Sequence, residues 1–209
     1  MGQLLESEST MAVPCPRCGR DYDIALFQFG RTIHCTCGSR VGLEPRVRET
    51  DPHGDHRFMV DAMLGRMARW LRIIGYDTSY DAQISDAELA RRAFEEDRIV
   101  LTRDRALPDE WRVPRILVLD SEDALEQLRQ VVAAFDLDWR GRQFSRCSRC
   151  NTSIEPRSLE EVADRVPPRV RREQSEFFAC PTCDRVYWEG SHLERMRRDL
   201  ERALGNLVS

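Results

Sequence analysis

The chain has 209 residues, with thirty-two basic against thirty-six acidic side chains, a length that supports one modest domain with attachments or two small domains rather than one large core. All thirty-two basic residues are arginine, which removes a Walker A lysine, a pyridoxal Schiff base and a lysine nucleophile from consideration. No apolar run approaches the roughly 20 residues that cross a bilayer, and residues 1–10 are acidic with no basic stretch leading into an apolar one, so no membrane partner and a cytoplasmic setting are expected.

The first motif is Cys15-Pro-Arg-Cys18-Gly, with sixteen residues between Cys18 and the next pair, Cys35-Thr-Cys37-Gly. Close cysteine pairs separated by a longer loop suit tetrahedral zinc, because each short knuckle supplies two thiolates and the loop lets the knuckles converge. Glycine after each knuckle accepts the positive φ of a tight turn. His34 neighbours this set, but four thiolates already complete the shell. A second set, Cys147-Ser-Arg-Cys150 and Cys180-Pro-Thr-Cys183, has twenty-nine residues between its halves. Disulfides are disfavoured in a cytoplasmic chain. Two structural zinc ions are therefore expected, with no open position for substrate, and their ribbons offer surfaces for nucleic acid or a protein partner.

Between the cysteine sets, strands and helices alternate. Residues 57–60 form a short apolar run that delivers Asp61 at its end. Residues 62–74 carry Leu64, Met67, Ala68, Leu71 and Ile74 at helical spacing, with Arg66, Arg69 and Arg72 pointing elsewhere, and Gly75 as the stop. A strand follows at 76–80. Ser85-Asp86-Ala87-Glu88 reads as a capping box that opens the next helix. Residues 98–102 form a strand leading to Asp104, residues 115–119 another leading to Asp120, and residues 121–135 an amphipathic helix capped by Ser121.

This alternation predicts a parallel sheet covered by helices, with ligands at the carboxyl ends of its strands. Asp61, Asp104 and Asp120 emerge there, and Asp86 can join them. Clustered carboxylates tolerate one another when a hard cation such as magnesium or manganese neutralises them. Each also has an ordinary structural reading: Asp86 suits a helix first turn through the macrodipole alone, and Asp120 suits a loop or cap.

Charge is unevenly spread. Over residues 57–139 twelve arginines face seventeen carboxylates, a net −5, whereas over 140–198 thirteen arginines face nine, a net +4. An acidic centre beside a basic flank fits a metal site next to a polyanion-binding surface, although solvated helix faces give similar imbalances. Residues 167–172, with Arg169, Arg171 and Arg172, read as a basic loop, and His192 stands at the start of a basic helix where it can meet phosphate.

The run Phe58-Met59-Val60-Asp61-Ala62-Met63-Leu64-Gly65-Arg66-Met67-Ala68-Arg69-Trp70-Leu71-Arg72-Ile73-Ile74-Gly75-Tyr76-Asp77, with Ser85-Asp86-Ala87-Glu88-Leu89, Arg98-Ile99-Val100-Leu101-Thr102-Arg103-Asp104 and the second cysteine set followed by Val186-Tyr187-Trp188-Glu189-Gly190-Ser191-His192, resembles the Mut-seven C-terminal RNase family, a PIN-like group ending in a zinc ribbon. The resemblance covers roughly residues 57–197. It implies a three-layer PIN-like α/β domain at 57–138, a C-terminal zinc ribbon with a terminal helix at 139–209, and Asp61, Asp86 and Asp104 as catalytic, metal-binding carboxylates. PIN nucleases often carry a fourth acidic residue, for which Asp120, Glu88 and Asp81 are the candidates. The N-terminal ribbon, residues 1–50, lies outside the resemblance.

The expected function is magnesium- or manganese-dependent hydrolysis of phosphodiester bonds in single-stranded RNA, with Arg66, Arg69, Arg103 and His192 as candidate phosphate contacts and Trp70 as core or, less simply, a stacking platform. The competing expectation is a noncatalytic adaptor in which the ribbons bind nucleic acid or protein and the α/β domain is scaffold. A toxin-like ribonuclease is a third.

Overall fold

The computed structural model describes residues 12–43 and 55–207. The acidic opening at 1–10 and the end of the 1–50 segment lie outside these residues. The N-terminal module consists of two short antiparallel pairs, β1 (Ala12–Pro14) with β2 (Asp21–Asp23) and β3 (Ile33–His34) with β4 (Arg40–Val41), linked by a 3-10 stretch, Ile24–Gly30. Its core is small: Cys15, Phe27, Cys35 and Val41 are buried, with Val13, Tyr22, Ile33 and Cys37 around them.

The central domain begins with β5 (Arg57–Val60) and α1 (Gly65–Ile73), followed by β6 (Asp77–Tyr80), α2 (Asp86–Glu95), β7 (Ile99–Thr102), the one-turn α3 (Leu107–Glu110), β8 (Ile116–Val118) and α4 (Ala124–Phe135). The four strands form one sheet in the order β6-β5-β7-β8, and every pair is parallel. Alternate side chains leave opposite faces of a strand. Phe58, Val60, Ile99 and Leu101 accordingly meet Leu64, Met67, Leu71, Leu128 and Val131 on one side, while Met59 and Val100 meet Leu89, Ala90, Ala93, Leu107 and Trp111 on the other. The result is the parallel sheet covered by helices expected from the alternation, in the three layers that the resemblance implies.

Helix boundaries follow local chemistry. Gly75 has φ +94°, and a Cβ there would stand 2.3 Å from the Arg142 carbonyl oxygen, so glycine is required both by conformation and by the approach of the following segment. Ser85 caps α2 by accepting the Glu88 N–H at 3.3 Å. The reciprocal half of the expected box is absent, because the Glu88 carboxylate is held by Arg91 and Arg92. The expected Ser121 cap is also corrected: Asp123 caps α4 by accepting both Leu125 and Glu126 N–H at 3.0 Å, and Ser121 Oγ instead accepts the Asp123 N–H. A carboxylate that reaches two orphan donors displaces the hydroxyl two residues earlier.

The second cysteine module contains β9 (Glu155–Arg157), α5 (Leu159–Val162), α6 (Pro168–Glu173), β10 (Phe177–Ala179) and β11 (Val186–Trp188), with β10 central in an antiparallel sheet. The segment expected as a basic loop is thus helical over α6, with proline in the first turn. The chain then enters α7 (Ser191–Leu204), whose Leu200 and Leu204 are fully buried in the same core as α1 and α4. Among the described residues no helix is long and apolar enough to cross a membrane.

Arg72 departs from the expected outward orientation. It is buried, donates Nε to the Thr78 carbonyl at 2.9 Å, and donates Nη1 to the carbonyls of Arg149 at 2.7 Å and Ser148 at 3.4 Å. Burial pulls its pKa down, opposed by the nearby Cys147 and Cys150 thiols. Asn151 completes the seam, accepting the Thr78 N–H at 2.9 Å and donating to Asp77 at 2.8 Å. The second cysteine module is therefore fixed to the sheet edge by satisfied buried polar groups.

Candidate active site and cysteine clusters

In each cysteine set the ligand atoms all lie within 4.8 Å of one another. The Sγ–Sγ separations are 3.6 Å for Cys15–Cys37 and 3.5 Å for Cys18–Cys35, and 3.6 Å for Cys147–Cys183 and 3.2 Å for Cys150–Cys180. These far exceed a disulfide bond of about 2.05 Å. They approach the edge of about 3.8 Å that a tetrahedron with zinc–sulfur bonds of about 2.3 Å requires. Each knuckle closes with a residue at positive φ: Gly19 and Gly38 in the first set, Asn151 and Asp184 in the second. Asn151 and Asp184 fill the second set's turns because Asn and Asp tolerate the left-handed region better than other non-glycine residues. His34 is exposed on β3 and lies outside the first cluster.

The thiols show why such a cluster suits a cation. A backbone hydrogen bond at Cys37 and the Tyr22 hydroxyl draw Cys35 down to about 5. Cys37 has a backbone hydrogen bond at Ser39 that alone would lower it, yet burial and the neighbouring cysteines push it up to about 12. Burial alone would raise Cys147, but the Tyr187 hydroxyl, 3.0 Å from its sulfur, and the knuckle amides bring it to about 6. Four thiolates in one place need a positive centre, and both sets could hold structural zinc.

The candidate carboxylates lie at the carboxyl edge of the parallel sheet. Asp61 directly follows β5, and its N–H continues the ladder to the Leu101 carbonyl at 3.0 Å. Asp104 follows β7 by two residues, and Asp86 opens α2 after β6. The connection from β5 runs to β6 on one side, whereas that from β7 runs to β8 on the other, so Asp61 and Asp104 flank the topological switch point where α/β sheets form crevices. Asp61 is buried at 8 % exposure, with its Oδ2 accepting the Thr102 hydroxyl at 2.6 Å. Thr102 Oγ1 in turn accepts the Asp104 N–H at 2.9 Å, and Asp104 Oδ1 accepts the Ala106 N–H at 2.8 Å. Tyr80 braces the turn after Asp61: its hydroxyl donates to the Ala62 carbonyl at 3.0 Å, and a Cβ on Gly65 would stand 2.5 Å from that hydroxyl.

The electrostatics connect these side chains. Partial burial raises the Asp86 pKa, and so do the negative charges of Asp61, Asp104 and Glu110. Among the described residues, only the cysteine sets gather three or more metal-ligand atoms within 4.8 Å of one another, and the carboxylates of the sheet edge do not.

Glu110, at the end of α3, was not among the sequence candidates. The one signal for it was the Leu-Pro-Asp-Glu run, proline near the start of a possible short helix with acidic residues behind it. The residues expected as candidates for the fourth acid each have a partner of their own. Asp120 pairs with Arg105 at 3.1 Å, Glu88 is held by Arg91 and Arg92, and Asp81 accepts the Gln83 N–H at 3.0 Å. Of the candidate phosphate contacts, Arg66 and Arg69 are exposed on α1. Arg103 pairs with Glu122 at 2.8 Å, and His192 lies in the first turn of α7 against a separate groove bordered by Trp188 and Phe144. Trp70 is half-buried against the main core.

The family model described as the Mut7-C RNAse domain matches residues 56–200. The chain therefore belongs to the Mut7-C RNAse domain family, a ribonuclease-type family, and the matched span takes in the sheet, its acidic edge, the second cysteine module and most of α7. Comparison with the curated proteins finds no match.

Proposed function

We propose that the protein is a magnesium- or manganese-dependent ribonuclease acting on single-stranded RNA, with Asp61, Asp86, Asp104 and Glu110 holding one or two of these ions. The observation that carries the reading is the placement of Asp61 and Asp104, joined through Thr102, at the switch point of the sheet; burial first, and then the charges of Asp61, Asp104 and Glu110, raise the Asp86 pKa beside them. Repulsion of this kind at a sheet switch point marks a group poised for a cation. Membership of a ribonuclease-type family supports the same reaction class. When bound, such ions lower the pKa of a water and offset phosphate charge.

The chain's own residues supply the geometry. Thr102 occupies one lone pair of Asp61 Oδ2, which fixes that carboxylate's rotation and leaves Oδ1 for a ligand. Asp104 has one oxygen committed to the Ala106 N–H, which likewise holds it in a single orientation. Arg66 and Arg69, one helix turn apart and exposed on α1, would meet the RNA backbone in this reading.

The deciding experiment is cleavage of labelled single-stranded RNA in magnesium and in manganese by the wild type, Asp61→Asn and Asp104→Asn. Cleavage by the wild type alone, with both variants retaining RNA binding, is expected. Binding without cleavage by the wild type in either ion would leave an adaptor instead.

A further inference from the structure

The N-terminal module lies outside the matched family span, yet it is seated beside the acidic edge. Thr32 N–H donates to the Glu110 carbonyl at 2.6 Å, and its hydroxyl donates to the Asp109 carbonyl. Arg112 N–H donates to the Gly30 carbonyl at 2.5 Å, Arg31 and Trp111 form an antiparallel bridge, and Arg40 reaches the Pro108 carbonyl at 2.9 Å. Gly30 is needed for this approach: its φ is +81°, and a Cβ would stand 2.6 Å from the Arg112 carbonyl oxygen.

Docking leaves a cleft of about 340 Å³ between the module and α2. One wall is Leu26, Gln28, Phe29 and Arg31; the other includes Ser85 and Ala87, which flank Asp86, and Trp111, which follows Glu110. Leu26 and Phe29 are large apolar side chains left 42 % and 38 % exposed. Phe29 also sits at φ 52°, ψ 29°, a left-handed conformation unfavourable for a bulky residue and held here against its preference. The exposed Arg31 guanidinium lies 6.0 Å from the Trp111 ring centroid, and no carboxylate pairs with it among the described residues. Opposite it, Glu88 is paired with Arg91 and Arg92, and Arg91 also with Glu95, so these charges offset one another and Arg31 is the cation left to meet a phosphate.

We infer that this cleft is a nucleotide subsite, in which the N-terminal module receives an unstacked nucleotide of single-stranded RNA next to the phosphate being cleaved. The inference rests on the nuclease reading above and names the occupant of the space beside that site. A part-exposed phenyl ring, an arginine with no carboxylate partner among the described residues and the Gln28 amide are the three kinds of group that take a splayed base, a phosphate and a base edge. The volume is at the low end for small-molecule clefts and suits one nucleotide rather than a duplex.

The test uses the full chain with Phe29→Ala and Arg31→Ser, each also combined with Asp61→Asn. Fluorescence anisotropy with a short labelled single-stranded oligoribonucleotide in magnesium reads binding in the Asp61→Asn background, and cleavage kinetics read the rest. Each substitution is expected to raise Kd and KM roughly tenfold with kcat within about twofold of wild type. Affinity for duplex RNA should stay unchanged. Arg31→Ser alters only an exposed side chain, so it keeps the test valid if Phe29→Ala loses zinc or secondary structure. Unchanged Kd and KM in Arg31→Ser and in folded Phe29→Ala, while the wild type cleaves, overturn the subsite and leave the nuclease standing. Absence of wild-type cleavage removes the nuclease reading, and the anisotropy series then decides the cleft by itself.

Discussion

The hydroxyl of Thr102 lies 2.6 Å from Oδ2 of Asp61 and, on its other side, accepts the backbone N–H of Asp104 at 2.9 Å. One fully buried side chain at the end of β7 thus joins the carboxylate delivered by β5 to the turn that carries the next one. Neither aspartate can shift without breaking a bond to Thr102, so the spacing of the acidic edge is set inside the sheet.

Thr102→Val keeps the shape of the side chain and removes both bonds. It leaves a buried carboxylate oxygen and a backbone N–H without partners, a loss of about 1–3 kcal/mol that urea unfolding will measure. Cleavage is expected to fall by roughly tenfold or more as Asp61 loses its fixed rotation. Thr102→Ser should recover most of both. A valine variant with unaltered activity would show that the bridge is incidental.

Asp86 binds its proton more tightly in the folded chain than an ordinary aspartate does. Between the ordinary value and the raised one the folded state holds the extra proton, so stability falls as pH rises through that interval. With divalent ions chelated, Asp86→Asn is therefore expected to resist urea better than wild type at neutral pH, with the advantage vanishing in acid. Glu110→Gln removes one of the repelling charges and should move the acid limb of the cleavage profile to lower pH. An unmoved limb would remove Glu110 from the site.

How far the sequence reveals this arrangement depends on whether a feature is local. The four strands, the helix stop at Gly75 and both cysteine sets rest on short-range patterns of hydrophobicity, turn chemistry and ligand spacing, and all are legible. Arg72 is not, because a helical wheel assigns an arginine to the wet face, and only the carbonyls of Ser148 and Arg149, far along the chain, convert that face to interior. Glu110 escapes notice since α3 is a single turn, too short for any periodicity. Thr102 looks like an ordinary strand residue until its two partners are seen together.

Asp77 joins the two halves of the matched region. Burial alone would raise its pKa, but the Arg98 guanidinium at 2.6 Å and Asn151 at 2.8 Å hold it below the ordinary range. A depressed carboxylate contributes stability that is complete above its unfolded value and is lost as pH falls through the folded one. Asp77→Asn is expected to cost about 1–3 kcal/mol near neutrality, and the gap to wild type should close below about pH 4. A gap that stays constant across an acid titration would show that packing, not charge, is responsible.

Elemental analysis should find two zinc ions per chain, one for each four-cysteine set, with Cys18→Ser and Cys150→Ser each removing one. The consequences should differ. Loss of the second ion frees the knuckle whose carbonyls satisfy Arg72, and a buried guanidinium without acceptors is costly, so the thermal midpoint of the whole domain should drop by several degrees. Loss of the first should leave that midpoint near wild type and raise KM for RNA. Equal thermal effects would contradict this division.

Leu200 and Leu204 of the last helix fill the same interior as the first strand of the sheet. The second cysteine module is therefore an excursion between two pieces of one core, not an appendage at its end. A chain emerging from the ribosome cannot seal its hydrophobic centre until that excursion has been synthesised and folded back. Metal supply to its four thiols then becomes a condition for completing the fold, and a zinc-starved cell would accumulate an open, protease-sensitive precursor.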